Sequence, residues 1–148
     1  MNKAEVYQAC LKSLESHLTE LQESLRVVHE SMVGEEKSTA GDKYETARAM
    51  AQNEFSRLSN QLEVVKADLG HMQRMNAKDV FSTVQLGALV QTEKRLIYIA
   101  TGLGKMEVGG ETVIAISPSS PLAQVFMSHK VDDTVQFQGM EEKILSIC

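Results

Sequence analysis

Tryptophan is absent, and only three tyrosines and four phenylalanines are spread over 148 residues. Aromatic side chains carry much of the apolar area of a broad globular core. Their scarcity fits a chain that spends much of its length in rods with a narrow interior. Proline occurs twice, at Pro118 and Pro121, so nothing before Pro118 imposes a helix break of that kind. Two cysteines, Cys10 and the final Cys148, do not make a disulfide framework and point to a reducing compartment. No apolar run is long enough to span a bilayer, and the start Met1-Asn2-Lys3-Ala4-Glu5 lacks the apolar core of a secretory signal. The expectation is a cytoplasmic protein without a membrane partner. The net charge of −5, with acids and bases interspersed, argues against a generic grip on the nucleic-acid backbone and against sequence-specific DNA binding. His17, His29, His71 and His129 are scattered, with no Cys/His spacing suited to zinc.

What is present is heptad pattern. Ala4, Tyr7, Leu11, Leu14, Leu18, Leu21, Leu25, Val28 and Met32 alternate in steps of three and four. That is the a/d seam of a coiled coil, which keeps one stripe turned toward a partner. Ala51, Phe55, Leu58, Leu62, Val65, Leu69 and Met72 repeat the rhythm. The residues between, Val33 to Gly41, are small or charged and read as a connection. A link this short favours an antiparallel hairpin, with helices of roughly 45 Å at 1.5 Å per residue.

Near Asn76 the period changes to two. Val84, Leu86, Ala88 and Val90 recur at every second position, and Arg95 to Ala100 forms a second run after a tight turn at Glu93-Lys94. Val113 to Ile116 predicts a third strand. Thr134 to Phe137 and Lys143 to Ile147 predict two more, turning near Gly139. Ser120-Pro121, a serine cap followed by proline at the first helical position, opens a short helix through about Met127. Gly102-Leu103-Gly104-Lys105 lacks the full spacing and the following Ser/Thr of a phosphate loop, and reads as a turn. The fold class is therefore α+β. A long antiparallel α-helical hairpin over 1–76, with its tip near 34–45, precedes a small antiparallel β module with one short helix over 77–148.

The tip carries Gly41-Asp42-Lys43-Tyr44-Glu45-Thr46-Ala47-Arg48-Ala49. Asp42 at a helix N-cap with Glu45 three residues on is a variant of the capping box, and acids suit the positive end of the helix dipole. A carboxylate pair at the end of a rod also suggests chemistry done at a distance. Ser38 or Thr39 as the cap would leave the Asp42 side chain free.

Gly41-Asp42-x-x-Glu45, continued by Ala47 and Ala51-x-x-Glu54, resembles the tip of the Gre-type transcript cleavage factors of bacterial RNA polymerase. The C-terminal half resembles them at Ile116-Ser117-x-x-Ser120-Pro121-Leu122-Ala123, at Val131-Asp132-Asp133-Thr134-Val135, and at Ile144 and Ile147. The resemblance spans essentially the whole chain and implies an FKBP-like C-terminal module. It further implies a monomeric accessory factor, not itself an enzyme. The module would dock on bacterial RNA polymerase and the hairpin would enter the secondary channel. There Asp42 and Glu45, as catalytic and metal-binding acids, would help hold an Mg²⁺ shared with the polymerase and assist cleavage of backtracked RNA. Contact with the nascent RNA would be indirect. Mg²⁺ keeps much of its water and is often held by one or two protein carboxylates, so none would be bound stably by the chain alone. A second metal can generate the nucleophile and stabilise the leaving oxygen. Tyr44, Arg48, Ser120, Pro121, Asp132 and Asp133 are the implied partner-binding positions.

The chain departs from the family at Thr46, Arg48 and Ala49, where Gre tips continue with Asn, Glu and Tyr. Arg48 lies one helical turn from Glu45 and would compete with a metal. Ser128 and His129 replace the family's glycine and lysine. These departures open one alternative, a regulator that occupies the channel without cleaving; a structural or adaptor coiled coil without polymerase contact is a second.

Overall fold

The computed structural model describes the backbone of residues 1–36 and 41–148 and the side chains of residues 1–34 and 45–148. Helix α1 spans Lys3–Glu36 and α2 spans Gly41–Arg74, each of 34 residues. Both therefore run further toward the connection than the heptad pattern indicated. The chain divides into two compact units, Leu14–Gly70 and Met1–Ser13 with His71–Cys148.

In the first unit α1 and α2 form the antiparallel hairpin. Leu14, Leu21, Leu58, Val65 and Leu69 of the expected seam are buried, and Leu18, Leu25, Val28, Met32, Ala51, Phe55 and Leu62 are half-buried. The His29 ring lies 6.4 Å from that of Phe55, a tilted contact between the two helices. The outer faces carry exposed ion pairs one turn apart. Arg26 bonds Glu23 and Glu30, and Arg57 Nε donates to Glu54 Oε2 at 2.9 Å. Exposed pairs of this kind are screened by solvent and add little to stability. The seam, not the surface charge, holds the helices together.

In the second unit the seam changes. Ala4 is exposed, while Lys3, Val6, Tyr7 and Cys10 are buried. Tyr7 Oη donates to the Met72 carbonyl at 2.7 Å, and the Lys3 ammonium donates to the Asp79 carbonyl and lies 4.6 Å from the centre of the Phe81 ring. Burial holds Lys3 below the usual lysine range, opposed by the nearby Cys148 and Asp79.

The strands are β1 (Leu89–Thr92), β2 (Leu96–Ile99), β3 (Gly104–Val108), β4 (Glu111–Ile116), β5 (Thr134–Phe137) and β6 (Met140–Ile147), with α3 (Pro121–Phe126) between β4 and β5. Their order across the sheet is β3-β4-β2-β1-β6-β5. The sheet is mostly antiparallel, with β2 and β4 paired in parallel. That parallel pair follows from β3, a strand the sequence reading took as loop. β3 turns back on β4 through Gly109-Gly110, whose φ values of 58° and 81° suit a two-residue hairpin. Only Val108 of β3 is buried, so its short apolar alternation is faint.

The first strand also starts later than the alternation implied. Gly87 has φ 91° and sends its N–H to the Ile99 carbonyl at 2.7 Å. This bend leaves Leu86 exposed and reduces the preceding segment to a single bridge, Thr83 to Lys130. Two expected turns are present, while β6 begins at Met140, ahead of the expected Lys143. Thr92 N–H donates to Arg95 O across the Glu93-Lys94 turn at 2.9 Å, and Gln138-Gly139 turns β5 into β6 with positive φ at both positions. One sheet face packs Val90, Ile97, Ile99, Val135 and Ile144 against Ala123 and Phe126 of α3.

Candidate functional site

The backbone at the start of α2 sets the first candidate. The helix begins at Gly41, so Asp42 and Tyr44 lie in its first turn and Glu45 follows directly. The side chains of Asp42 and Tyr44, with the alternative caps Ser38 and Thr39, lie outside the described residues. Glu45 is exposed, and Ala47 and Arg48 are half-buried. Arg48 is not a free cation. Glu54, the outer acid of the tip pattern, is held by Arg57, whose hydrogen bonds and charge keep its carboxyl below the usual range. Among the described residues no cluster of three or more His, Cys, Asp or Glu is placed to hold a metal.

The second candidate is the α3 corner. Ser120 Oγ accepts the Ala123 N–H at 3.2 Å, and Pro121 sits exposed at the first helical position. Serine caps are typically worth about 1 kcal/mol, so Ser120 has a structural role whatever else it contacts. Asp132 is exposed, adopts φ 74°, donates its N–H to Ile144 O at 2.9 Å and lies 3.4 Å from the Lys143 ammonium. Asp133 Oδ2 accepts the Lys130 N–H at 2.8 Å and lies 3.4 Å from His129 Nδ1. These bonds fold the approach to β5 into a tight turn. No hydrogen bond or ion pair joins Ser120 and Pro121 to Asp132 and Asp133 among the described residues.

Two further features escaped the sequence reading. Glu142 is fully buried in β6. Its Oε1 accepts from Thr92 Oγ1 at 2.9 Å and its Oε2 from Arg95 Nη2 at 2.8 Å. The signal was available, since Glu142 stands two residues before buried Ile144 and so points to the same side of the strand. The hairpin also exposes Val27, Met50 and Val64. They edge two surface cavities of about 460 and 410 Å³, the first lined also by Val28, Ser31, Ala47, Ala51 and Glu54 and the second also by His17, Asn60, Gln61 and Val65. Extending the heptad assignment from the seam places His17, Ser31, Ala47, Glu54 and Gln61 at equivalent flanking positions, so both cavities lie on one side of the hairpin.

No family model matches the chain, and no curated protein matches it. Among solved structures, that of the transcription factor Gfh1 is similar at 17% identity over 95% of this chain and 92% of that chain, with a TM-score of 0.35. No helix among the described residues is long and apolar enough to cross a membrane.

Proposed function

We propose that the chain is a Gre-like transcription factor that binds bacterial RNA polymerase, places its helical hairpin in the secondary channel and stimulates cleavage of backtracked RNA. The supporting observation is that each resemblance motif occupies a defined structural feature of this chain. Gly41 opens the second hairpin helix, and Ser120-Pro121-Leu122-Ala123 caps and starts the one short helix. Val131-Asp132-Asp133-Thr134 forms the turn into β5, and Ile144 enters the core.

In this reading Asp42 and Glu45, three residues apart near the start of α2, share one side of the helix. They supply oxygen ligands to an Mg²⁺ whose remaining ligands come from the polymerase and from water. The protein is an accessory that contributes carboxylates to another enzyme's active centre.

The test is RNA cleavage in backtracked elongation complexes with the wild-type chain and with Asp42→Asn/Glu45→Gln. Mg²⁺-dependent cleavage lost in the double variant, with polymerase binding retained, supports the reading. Binding without cleavage by the wild-type chain replaces it with a non-cleaving channel regulator. Absence of binding refutes both.

The exposed Val27, Met50 and Val64 favour one other reading, a structural or adaptor coiled coil in which that side of the hairpin pairs with another helix. Light scattering separates the two. A stable dimer that monomerises on Met50→Lys/Val64→Lys supports the adaptor, and a wild-type monomer removes this ground for it.

A further inference from the structure

The sheet face that carries α3 also carries an open cleft of about 380 Å³, lined by Lys94, Arg95, Lys105, Thr112, Ile114 and Met140. Strand register places Lys105 beside Ile114 and Ile114 beside Ile97, so these side chains share the face of the Ile97 and Phe126 core. Three of the six lining residues are cations and none is an acid. The ammonium groups of Lys94 and Lys105 make no hydrogen bond or ion pair among the described residues. Arg95 is held in place from beneath. Its Nη2 bonds the buried Glu142, which is in turn bonded by Thr92, and the guanidinium makes no other side-chain hydrogen bond among the described residues. Most of its five N–H donors therefore remain available in a fixed orientation. Ile114 is half-buried and Met140 half exposed, which adds an apolar wall.

We propose that this cleft binds a phosphate monoester, its dianion held by Lys94, Arg95 and Lys105 and its organic part resting on Ile114 and Met140. A pre-oriented guanidinium with two mobile ammonium groups suits an anion with several acceptor oxygens better than a single carboxylate. The volume lies at the small end of the range for small-molecule sites, roughly 300–1,000 Å³. Two local groups oppose the anion: the Glu142 carboxylate, which already pairs with Arg95, and Glu107. Glu107 Oε1 receives the Thr112 hydroxyl proton at 2.5 Å, which places a negative charge beside the lining and turns that proton away from a ligand. Glu107→Gln removes the charge, and its amide can donate to Thr112 Oγ1, releasing the hydroxyl proton toward the cleft. The assignment uses only the sheet module and does not depend on binding to polymerase.

The probe is phenyl phosphate, titrated into the full-length chain at neutral pH and constant ionic strength while the Thr112 and Ile114 amides and the Met140 methyl are followed by NMR. The expected result is saturable shifts confined to the cleft. Lys94→Gln/Lys105→Gln should weaken binding about tenfold and Glu107→Gln should tighten it about threefold, as charge-assisted bonds are lost or gained. Both lysines are exposed, and unchanged shifts elsewhere will establish that the double variant is folded. Inorganic phosphate should bind more weakly than phenyl phosphate, because it leaves the apolar wall uncovered. Phenylacetate should bind more weakly because it has fewer oxygens and less charge. The proposal is overturned by non-saturating shifts that sodium chloride reproduces, by equal binding to the double lysine variant, or by either comparison anion binding as tightly as phenyl phosphate.

Discussion

Replacing Arg95 with methionine keeps most of the side chain's apolar length and deletes the cation facing Glu142. The Glu142 side chain has no solvent exposure and that of Arg95 has 20%. The carboxylate is therefore shielded from water, while its counter-charge is partly exposed. After the substitution Glu142 retains one donor, the Thr92 hydroxyl at 2.9 Å, and loses its counter-charge. Removing one partner of a buried pair typically costs about 3–5 kcal/mol. The partial exposure of Arg95 favours the lower end, about 3 kcal/mol. Glu142→Gln keeps a carbonyl acceptor for Thr92 and removes the charge to be solvated, so about 1–2 kcal/mol is expected.

The double variant Arg95→Met/Glu142→Met replaces the pair with apolar groups and should return to within about 1 kcal/mol of wild type, since such replacements are often neutral. Urea unfolding should be followed by near-UV circular dichroism. With no tryptophan in the chain, buried Tyr98 reports on the sheet, while the far-UV signal is dominated by the two long helices. If Arg95→Met costs less than about 1 kcal/mol, or if the double variant is no better than Arg95→Met, then the pair does not stabilise the strand junction as argued.

Three other outcomes are expected. Burial pushes the Cys10 thiol up to about 11 from an ordinary 9.0. The unfolded chain then releases its proton first, so this contribution is intact below pH 9 and is lost as pH rises to 11, by about 2–3 kcal/mol; Cys10→Ala should flatten that part of the alkaline decline in urea midpoints. Ser128 adopts φ 69° just after the Met127 C-cap of α3, a position that favours glycine, so Ser128→Gly should raise stability by about 0.5–1 kcal/mol. Gly87→Ala should lower stability by about 1–2 kcal/mol, because φ is 91° and the new Cβ would lie 3.2 Å from Phe81 Cε2; paired thermal melts check both.

The helices were legible because an apolar residue every three or four positions persists from Tyr7 to Met32 and from Ala51 to Met72, too long a pattern to arise from strands. The α3 start was legible because Ser120-Pro121 combines two independent local signals. β3 was missed for a physical reason. It has one face toward solvent and glycine at its start and beyond its end, so its alternation covers little more than Met106 and Val108. The same glycines, Gly109-Gly110, were the evidence for a hairpin, and reading them as a turn would have recovered the strand. Glu142 was missed because the expected strand began one residue later, at Lys143, and only its distant partners Thr92 and Arg95 make burial tolerable. Such pairing depends on strand order, which no local pattern specifies.

The placement of the tip acids bears on what the chain can do alone. A helix that begins at Gly41 puts Asp42 and Glu45 near the positive end of its macrodipole. That end stabilises carboxylates, and for the same reason it repels a cation held by them. Two carboxylates also fall well short of the six oxygens that Mg²⁺ requires, leaving water to complete the shell. Both effects predict that the isolated chain binds Mg²⁺ more weakly than about 1 mM. Titration with Mn²⁺ as a paramagnetic probe, read at the Glu45 amide, measures this directly. Weak, non-saturating broadening is expected, because two carboxylates supply few of the ligands and little of the negative charge that the ion requires. Sub-millimolar saturation lost in Asp42→Asn/Glu45→Gln would mean that the tip holds its own metal. The case for a site shared with an enzyme's active centre would then fail.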